Sequence, residues 1–378
     1  MYFNTKDGDV KAVDGVGFEI AEREILGIVG ESGCGKSSLA STILKLLPHN
    51  AKLVEGKILL EGKDLVPLSD AEMRSKIRWT KISLVPQGAM NALNPVFRVG
   101  DQISEAITLH TDTSRSAAKV RTGQLLKLVG VDPSRASHYP HEFSGGMKQR
   151  AMIAMSLALN PRLLIADEPT TALDVIVQAG IIRLLMSIRD EFGTAIILIS
   201  HDLALVAQMS DKTAIMYAGE FVEYGSSSDV YGTPLHPYTI GLVGAFADIR
   251  KPKEPLTSIP GSPPNLITPP EGCRFNPRCP YAADLCRSKE PPLRKPLRAT
   301  LWPATSGRTS KQKKRARRRG KLIDKKREEQ ETQGEESVSE RTRQGDKGGY
   351  QQSGDVASVR LDVGCSRHAC YCSDSHLL

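Results

Sequence analysis

No stretch of the 378-residue sequence approaches the roughly 20 consecutive apolar residues that a helix needs to cross a bilayer. The longest apolar runs, such as residues 194–199 and 163–166, stop far short, so no membrane span is expected. The opening residues, MYFNTKDGDV, lack the basic head and apolar run of a secretory signal, and a cytoplasmic protein is expected. A disulfide framework is lacking too. Cys34 lies in a glycine loop, Cys273, Cys279 and Cys286 form one group, and Cys365, Cys370 and Cys372 crowd the end, which fits a reducing compartment. Nor does the body carry an excess of one charge. Of a formal +8, residues 299–378 hold 17 Lys/Arg against 11 Asp/Glu, leaving 34 against 32 for residues 1–298. A nucleic-acid partner is therefore not expected for the globular part.

What is present begins with EILGIVG, residues 24–30, a short apolar run entering a glycine loop, followed by helical spacing from Ser37 until Pro48 stops it. Two more apolar runs, residues 162–166 and 194–200, flank residues 175–192, whose apolar positions recur at helical intervals. Parallel buried strands joined by a crossover helix are expected. More than a hundred residues separate the first loop from the second strand, which is too long for a connection and predicts an inserted helical subdomain.

Residues 30–37, GESGCGKS, match the phosphate-binding loop between a strand and a helix. Backbone N–H groups of Gly30, Gly33, Cys34 and Gly35 are expected to wrap phosphate oxygens at a helix N-terminus. Lys36 is expected to reach the β- and γ-phosphates, and Ser37 to offer its hydroxyl to Mg²⁺. Cys34 reads as a small filler. Residues 163–168, LLIADE, end a strand in two carboxylates. Such a pair is costly unless a cation or partner uses it. Asp167 is expected to hold Mg²⁺ and Glu168 to act as general base; the alternative is an acidic cap before Pro169. Ser144, Gly145 and Gly146 precede an apolar helical run, and a second phosphate-directed helix end is redundant unless it serves another molecule's nucleotide.

Together these motifs resemble the ATP-binding cassette family, in which two subunits sandwich two ATP molecules between one subunit's phosphate loop and the other's serine-glycine-glycine signature. The resemblance implies an α/β P-loop cassette with a parallel-sheet core, an antiparallel β portion near the N-terminus and an inserted helical subdomain at about 88–160. It implies that Gln87 senses the γ-phosphate and Mg²⁺, that His201 holds the γ-phosphate and attacking water, and that Asp174 lies in the loop crossing the dimer interface. Ser38 joins the nucleotide contacts, and Phe3, or else Tyr2, stacks on adenine. The usual first strand is shortened or missing, and Arg23 stands where the family often has a turn glycine.

Three further segments, Leu93-Asn94-Pro95, His236-Pro237-Tyr238-Thr239, and residues 272–280 with their two cysteines, resemble the oligopeptide/dipeptide importer branch. That implies a cassette over 1–225, an extension over 226–298, and an ATPase subunit driving peptide uptake, with nickel or oligosaccharide as alternative cargo. The implied partners are permease subunits, a second ATPase subunit and an extracytoplasmic binding protein, with this chain peripheral on the cytoplasmic face of the plasma (inner) membrane. Rival readings are a soluble cassette ATPase acting on nucleic acid or ribosomes, motivated by residues 311–326, and a P-loop kinase or GTPase, which leaves residues 144–150 unused.

Branch members that bind an iron–sulfur cluster supply a fourth cysteine downstream of the three at 273, 279 and 286. Here that cysteine is lacking, which puts a cluster in doubt. Codons for residues 299–305, read from their third base, permit the His-x-Val-Ala-Cys-His segment common in the branch. A disordered tail over 299–378, read out of frame from shortly before Ala299, is expected; the alternative is a genuine lineage-specific tail.

Overall fold

The computed structural model describes residues 1–245, 259–291 and 359–363. Its N-terminal part is antiparallel. β1 (Tyr2–Thr5) forms a hairpin with β2 (Gly8–Val10) and pairs on its other side with β5 (Ala51–Lys52). A second antiparallel sheet runs β3-β13-β6-β7, from β3 (Val16–Ile20), β6 (Lys57–Leu60), β7 (Lys63–Asp64) and β13 (Val359–Val363). β13 lies between β3 and β6 and is antiparallel to both, with Leu361 in register with Phe18 on one side and Ile58 on the other. It is the described part of the tail over 299–378; the proposed frame boundary, the basic run and the last three cysteines lie outside the described residues.

The six-stranded central sheet has the order β12-β11-β4-β10-β9-β8. β4 (Ile25–Val29), β8 (Ile82–Val85), β9 (Leu163–Asp167), β10 (Ala195–Ser200) and β11 (Lys212–Tyr217) are parallel, and β12 (Glu220–Ser226) returns antiparallel. Alternation along each strand sends side chains to two different cores. Ile25, Val29, Leu164, Ala166, Ile196 and Leu198 face one core. Leu26, Ile28, Leu163, Ile165, Ile197 and Ile199 face the other. A sheet buried on both faces needs near-continuous apolar strands, as these are.

On the second core lies α1 (Lys36–Ile43), which buries Leu39, Ala40 and Ile43 beside the antiparallel portion. The short α2 (Asp70–Glu72) starts at a Ser69–Glu72 capping box on the same side of the chain's course, before β8. The first core is covered by the segment inserted between β8 and β9. That segment holds α3 (Val99–His110), α4 (Arg115–Leu128) and α5 (Gly145–Ser156), which bury Ile103, Leu125 and Ile153. α6 (Val175–Phe192) is the crossover helix between β9 and β10; Asp174 caps its start, and Gly193, at φ +70°, ends it. α7 (Leu203–Met209) follows β10.

The extension begins with α8 (Ser227–Gly232) and α9 (Pro237–Gly244), with Pro237 at the first helical position, where its missing N–H costs nothing. α10 (Asp284–Ser288) follows the cysteine segment. Tyr238 and Phe275 are buried in the same core as the central sheet, so the extension is packed onto the cassette. No helix of the described residues is long and apolar enough to cross a membrane.

Candidate nucleotide-binding and hydrolysis site

β4 delivers the chain into residues 30–35, and α1 begins at Lys36. Gly35 has φ +108°, and a Cβ there would lie 2.1 Å from the Ala12 carbonyl oxygen, so the turn admits no side chain. Lys36 is buried, and its Nζ donates to the carbonyls of Gly30 and Glu31, both at 2.9 Å. The loop is pinned from outside by the Gly219 N–H, which donates to the Cys34 carbonyl at 2.9 Å. Cys34 is buried, and burial holds its thiol above the usual range, which fits a filler and not a nucleophile.

Asp167 ends β9 beside this loop. Burial pushes its carboxyl up, while the Ser37 hydroxyl donating to it and the Lys36 charge pull the other way. Its Oδ1 is buried and has no hydrogen-bond partner among the described residues. A buried carboxylate oxygen left unsatisfied next to a serine hydroxyl is the donor set a hard divalent cation takes, so Asp167 and Ser37 fit Mg²⁺.

Glu168 sits one residue beyond the strand with φ +48°, a left-handed conformation that is uncommon for a glutamate and concentrates at functional sites. Its amide donates to the Ile199 carbonyl at 2.8 Å, which ties it to β10. Gln87, after β8, donates from Nε2 to Glu168 Oε2 at 3.1 Å. Thr171 donates to the same oxygen at 3.1 Å. His201, after β10, brings Nδ1 to 3.4 Å from Glu168 Oε1. Gln87 and His201, from the ends of β8 and β10, and Thr171, from Glu168's own turn, thus converge on one carboxylate. Glu168 is mostly covered and His201 is 63% exposed, so the cluster opens to solvent on the histidine side. Thr171 has no sequence signal of its own beyond its place three residues after Glu168.

Ser144, Gly145 and Gly146 lie at the start of α5. Ser144 caps α5, accepting from the Met147 amide at 3.3 Å. A Cβ on Gly146 would stand 2.7 Å from Val177 Cγ1, so the start of α5 is seated against the start of α6 just beyond Asp174, which itself accepts from the Val177 amide at 2.9 Å. Among the described residues no hydrogen bond or ion pair joins Ser144, Gly145 or Gly146 to residues 30–37 of the same chain.

Phe3 is half-buried in β1, where it packs against the second core opposite Val10. Tyr2 donates its hydroxyl to Asp14 at 2.8 Å. In the extension, burial pushes the Cys273 thiol up to about 11 and raises Cys279 as well. Among the described residues no group of three His, Cys, Asp or Glu side chains is arranged to hold a metal ion. Cys273, Cys279 and Cys286 supply three soft ligands where a four-cysteine cluster takes four.

A phosphate loop at a helix start, with a cation-ready aspartate and a glutamate fixed by glutamine and histidine, on this sheet, defines a P-loop ATP-hydrolysing cassette. A family model of the ABC transporter matches residues 13–171, and a model of the oligopeptide/dipeptide transporter C-terminal region matches residues 222–286. The oligopeptide transport ATP-binding protein OppD of Escherichia coli is 47% identical over 293 residues, 77% of this chain and 86% of that protein. The dipeptide transport ATP-binding protein DppD of Bacillus subtilis is 48% identical over 287 residues, 75% of this chain and 85% of that protein. Among solved structures, the ATP-binding cassette MJ0796 in a dimeric post-hydrolysis state bound to ADP and Pi aligns with TM-score 0.54 and 28% identity, covering 60% of this chain and 95% of that one. The chain belongs to the ABC transporter ATP-binding proteins of the oligopeptide/dipeptide branch.

Proposed function

We propose that this ATPase subunit energises uptake of oligopeptides or dipeptides, docked on integral membrane permease subunits at the cytoplasmic face of the membrane and paired with a second ATPase subunit. An extracytoplasmic binding protein delivers the cargo. The observation that carries the catalytic reading is the convergence of Gln87 and His201 on Glu168 beside the phosphate loop. The match of residues 222–286 to the oligopeptide/dipeptide transporter region supports peptide cargo over nickel or oligosaccharide.

In this reading the amides of residues 30–38 and the Lys36 ammonium hold the β- and γ-phosphates. Mg²⁺, held by Ser37 and Asp167 with Gln87 nearby, would neutralise charge on the phosphate oxygens. Glu168 takes a proton from water as its oxygen attacks the γ-phosphorus in line, and the bond to the bridging oxygen breaks to release ADP. His201 steadies the γ-phosphate, and Gln87 orients the Glu168 carboxylate. Ser144, Gly145 and Gly146, which have no task at their own subunit's loop, close on the nucleotide of the second subunit, with Asp174 at the seam.

Glu168→Gln tests the assignment, because the amide keeps shape and loses basicity. In the subunit assembled with its permease, ATP turnover is expected to fall at least about 10²-fold, with ATP binding retained. Uptake of a labelled tripeptide should stop with it. Turnover above half the wild-type rate removes Glu168 as the base, and uptake of nickel or an oligosaccharide without peptide uptake removes the cargo assignment.

A further inference from the structure

Residues 273–279 lie far from the phosphate loop in sequence and against it in space. Arg278 is seated with its side chain 7% exposed. Its Nη1 and Nη2 donate to the two carboxylate oxygens of Glu31 at 2.8 and 3.1 Å. Its Nε donates to the Pro260 carbonyl at 2.8 Å. The guanidinium lies over the rings of Tyr217 and Phe275, at 5.7 and 6.0 Å from their centroids. Tyr238, on α9, accepts a hydrogen bond from the Glu31 amide at 3.0 Å and packs against Tyr217 at 4.6 Å. Both the amide and the carboxylate of Glu31 are therefore held by the extension.

Glu31 is the second residue of a loop whose purpose is to surround anions. A carboxylate there is electrostatically opposed to its ligand unless something neutralises it. A bidentate arginine does so with fixed geometry, and a buried arginine with every donor group engaged does not swing away. A second arginine of the same segment works on the strip that supports the loop. Arg274 is buried, contacts the Asp14 carboxylate, and pairs with Glu220 at 2.7 Å and with the Ala218 carbonyl at 2.6 Å. Asp14 follows Ala12, whose carbonyl lies against Gly35.

We infer that Arg278 is a positioning residue for ATP binding: it neutralises and holds aside the Glu31 carboxylate within the phosphate loop, making the C-terminal extension a working part of the nucleotide site. This rests on the reading of residues 30–37 as the phosphate-binding loop. Loss of the guanidinium leaves a mobile negative charge beside the phosphates. Nucleotide affinity then drops in proportion to the charge of the nucleotide, most strongly at low ionic strength.

The test measures binding of ATP, ADP and adenosine to the full chain carrying Arg278→Ala, and to the Arg278→Ala/Glu31→Gln double variant. Arg278→Ala is expected to weaken ATP binding on the order of tenfold, ADP less and adenosine hardly at all. Removing the opposing carboxylate in the double variant is expected to restore ATP affinity to within about threefold of wild type. A role in packing alone predicts equal losses for all three ligands and no rescue, and either result overturns the inference. If Arg278→Ala does not fold, Arg278→Lys against Arg278→Gln gives the same decision: lysine must retain affinity and glutamine lose it. Lys36→Ala is the control for the underlying reading. Should ATP bind undiminished to Lys36→Ala, the phosphate-loop assignment falls; should Lys36→Ala fail to bind while Arg278→Ala binds normally, only the present inference falls.

Discussion

His236 shows how one residue ties helix capping to acid sensitivity. Its Nδ1 accepts from the Tyr238 amide at 3.1 Å and so caps α9, which requires the neutral ring. Burial lowers its pKa from 6.5 to about 4. The unfolded chain therefore takes up the proton first, and stability present above pH 6.5 is lost as pH falls through 4, by about 3 kcal/mol. His236→Asn keeps a capping acceptor and removes the titration. Urea unfolding at pH 7, 5.5 and 4.5 should show wild type losing the larger share, while a constant gap between the two would dismiss His236 as the origin. Chemistry at this scale was legible wherever it lay within a few consecutive residues. The proposed roles of Lys36, Ser37, Asp167 and Glu168 rest on order and flanking strand, and the structure sets these residues side by side. Arg278 and Tyr238 were not legible in this way, because their partner Glu31 stands 247 and 207 positions away and nothing local marks the pairing. The Arg23 departure leaves the backbone of a glycine turn in place, since Arg23 keeps φ +59°.

Among the elements, strands buried on both faces were readable as uninterrupted apolar runs, and α6 by its spacing. Within the expected helical subdomain, α3 and α4 are divided at residues 111–114, where Ser114 starts a new N-cap. β13 was not legible. Its five residues alternate apolar and charged, but they sit in a polar, charged stretch, and pairing them with β3 spans more than 300 positions of sequence. Register decides this strand: Val359, Leu361 and Val363 stand opposite the buried Ile20, Phe18 and Val16. Without it, facing edges of β3 and β6 would present unpaired N–H and C=O groups. Deleting residues 292–378 is expected to speed amide exchange at residues 16–20 and 57–60 by at least about tenfold. Equal exchange in the full and shortened chains would show that β13 does not fill the slot.

For the whole molecule, the proposed shared site turns on two helix starts within one chain. α1 follows the glycine loop of residues 30–35, and α5 starts at Ser144, Gly145 and Gly146, seated against α6 and, among the described residues, joined to that loop by no hydrogen bond or ion pair. In the proposed shared-site arrangement one chain carries both halves of a site apart from each other, and two-fold pairing would bring each half to its complement. Beside Asp174 the apolar side chains of Val175 and Ile176 are 78% and 83% exposed, apolar surface that the proposed pairing would cover. Two variants separate the possibilities. Ser144→Arg disables the signature and Lys36→Ala disables the loop, so a homodimer of either has no intact site. In a mixed pair, the loop of the Ser144→Arg subunit meets the signature of the Lys36→Ala subunit, and one intact site returns while the other carries both lesions. With random pairing and independent sites, an equimolar mixture is expected to recover about a quarter of wild-type turnover. If each subunit completes its own site, both chains in every pair are disabled and the mixture stays as inactive as its components; that result would overturn the shared-site arrangement.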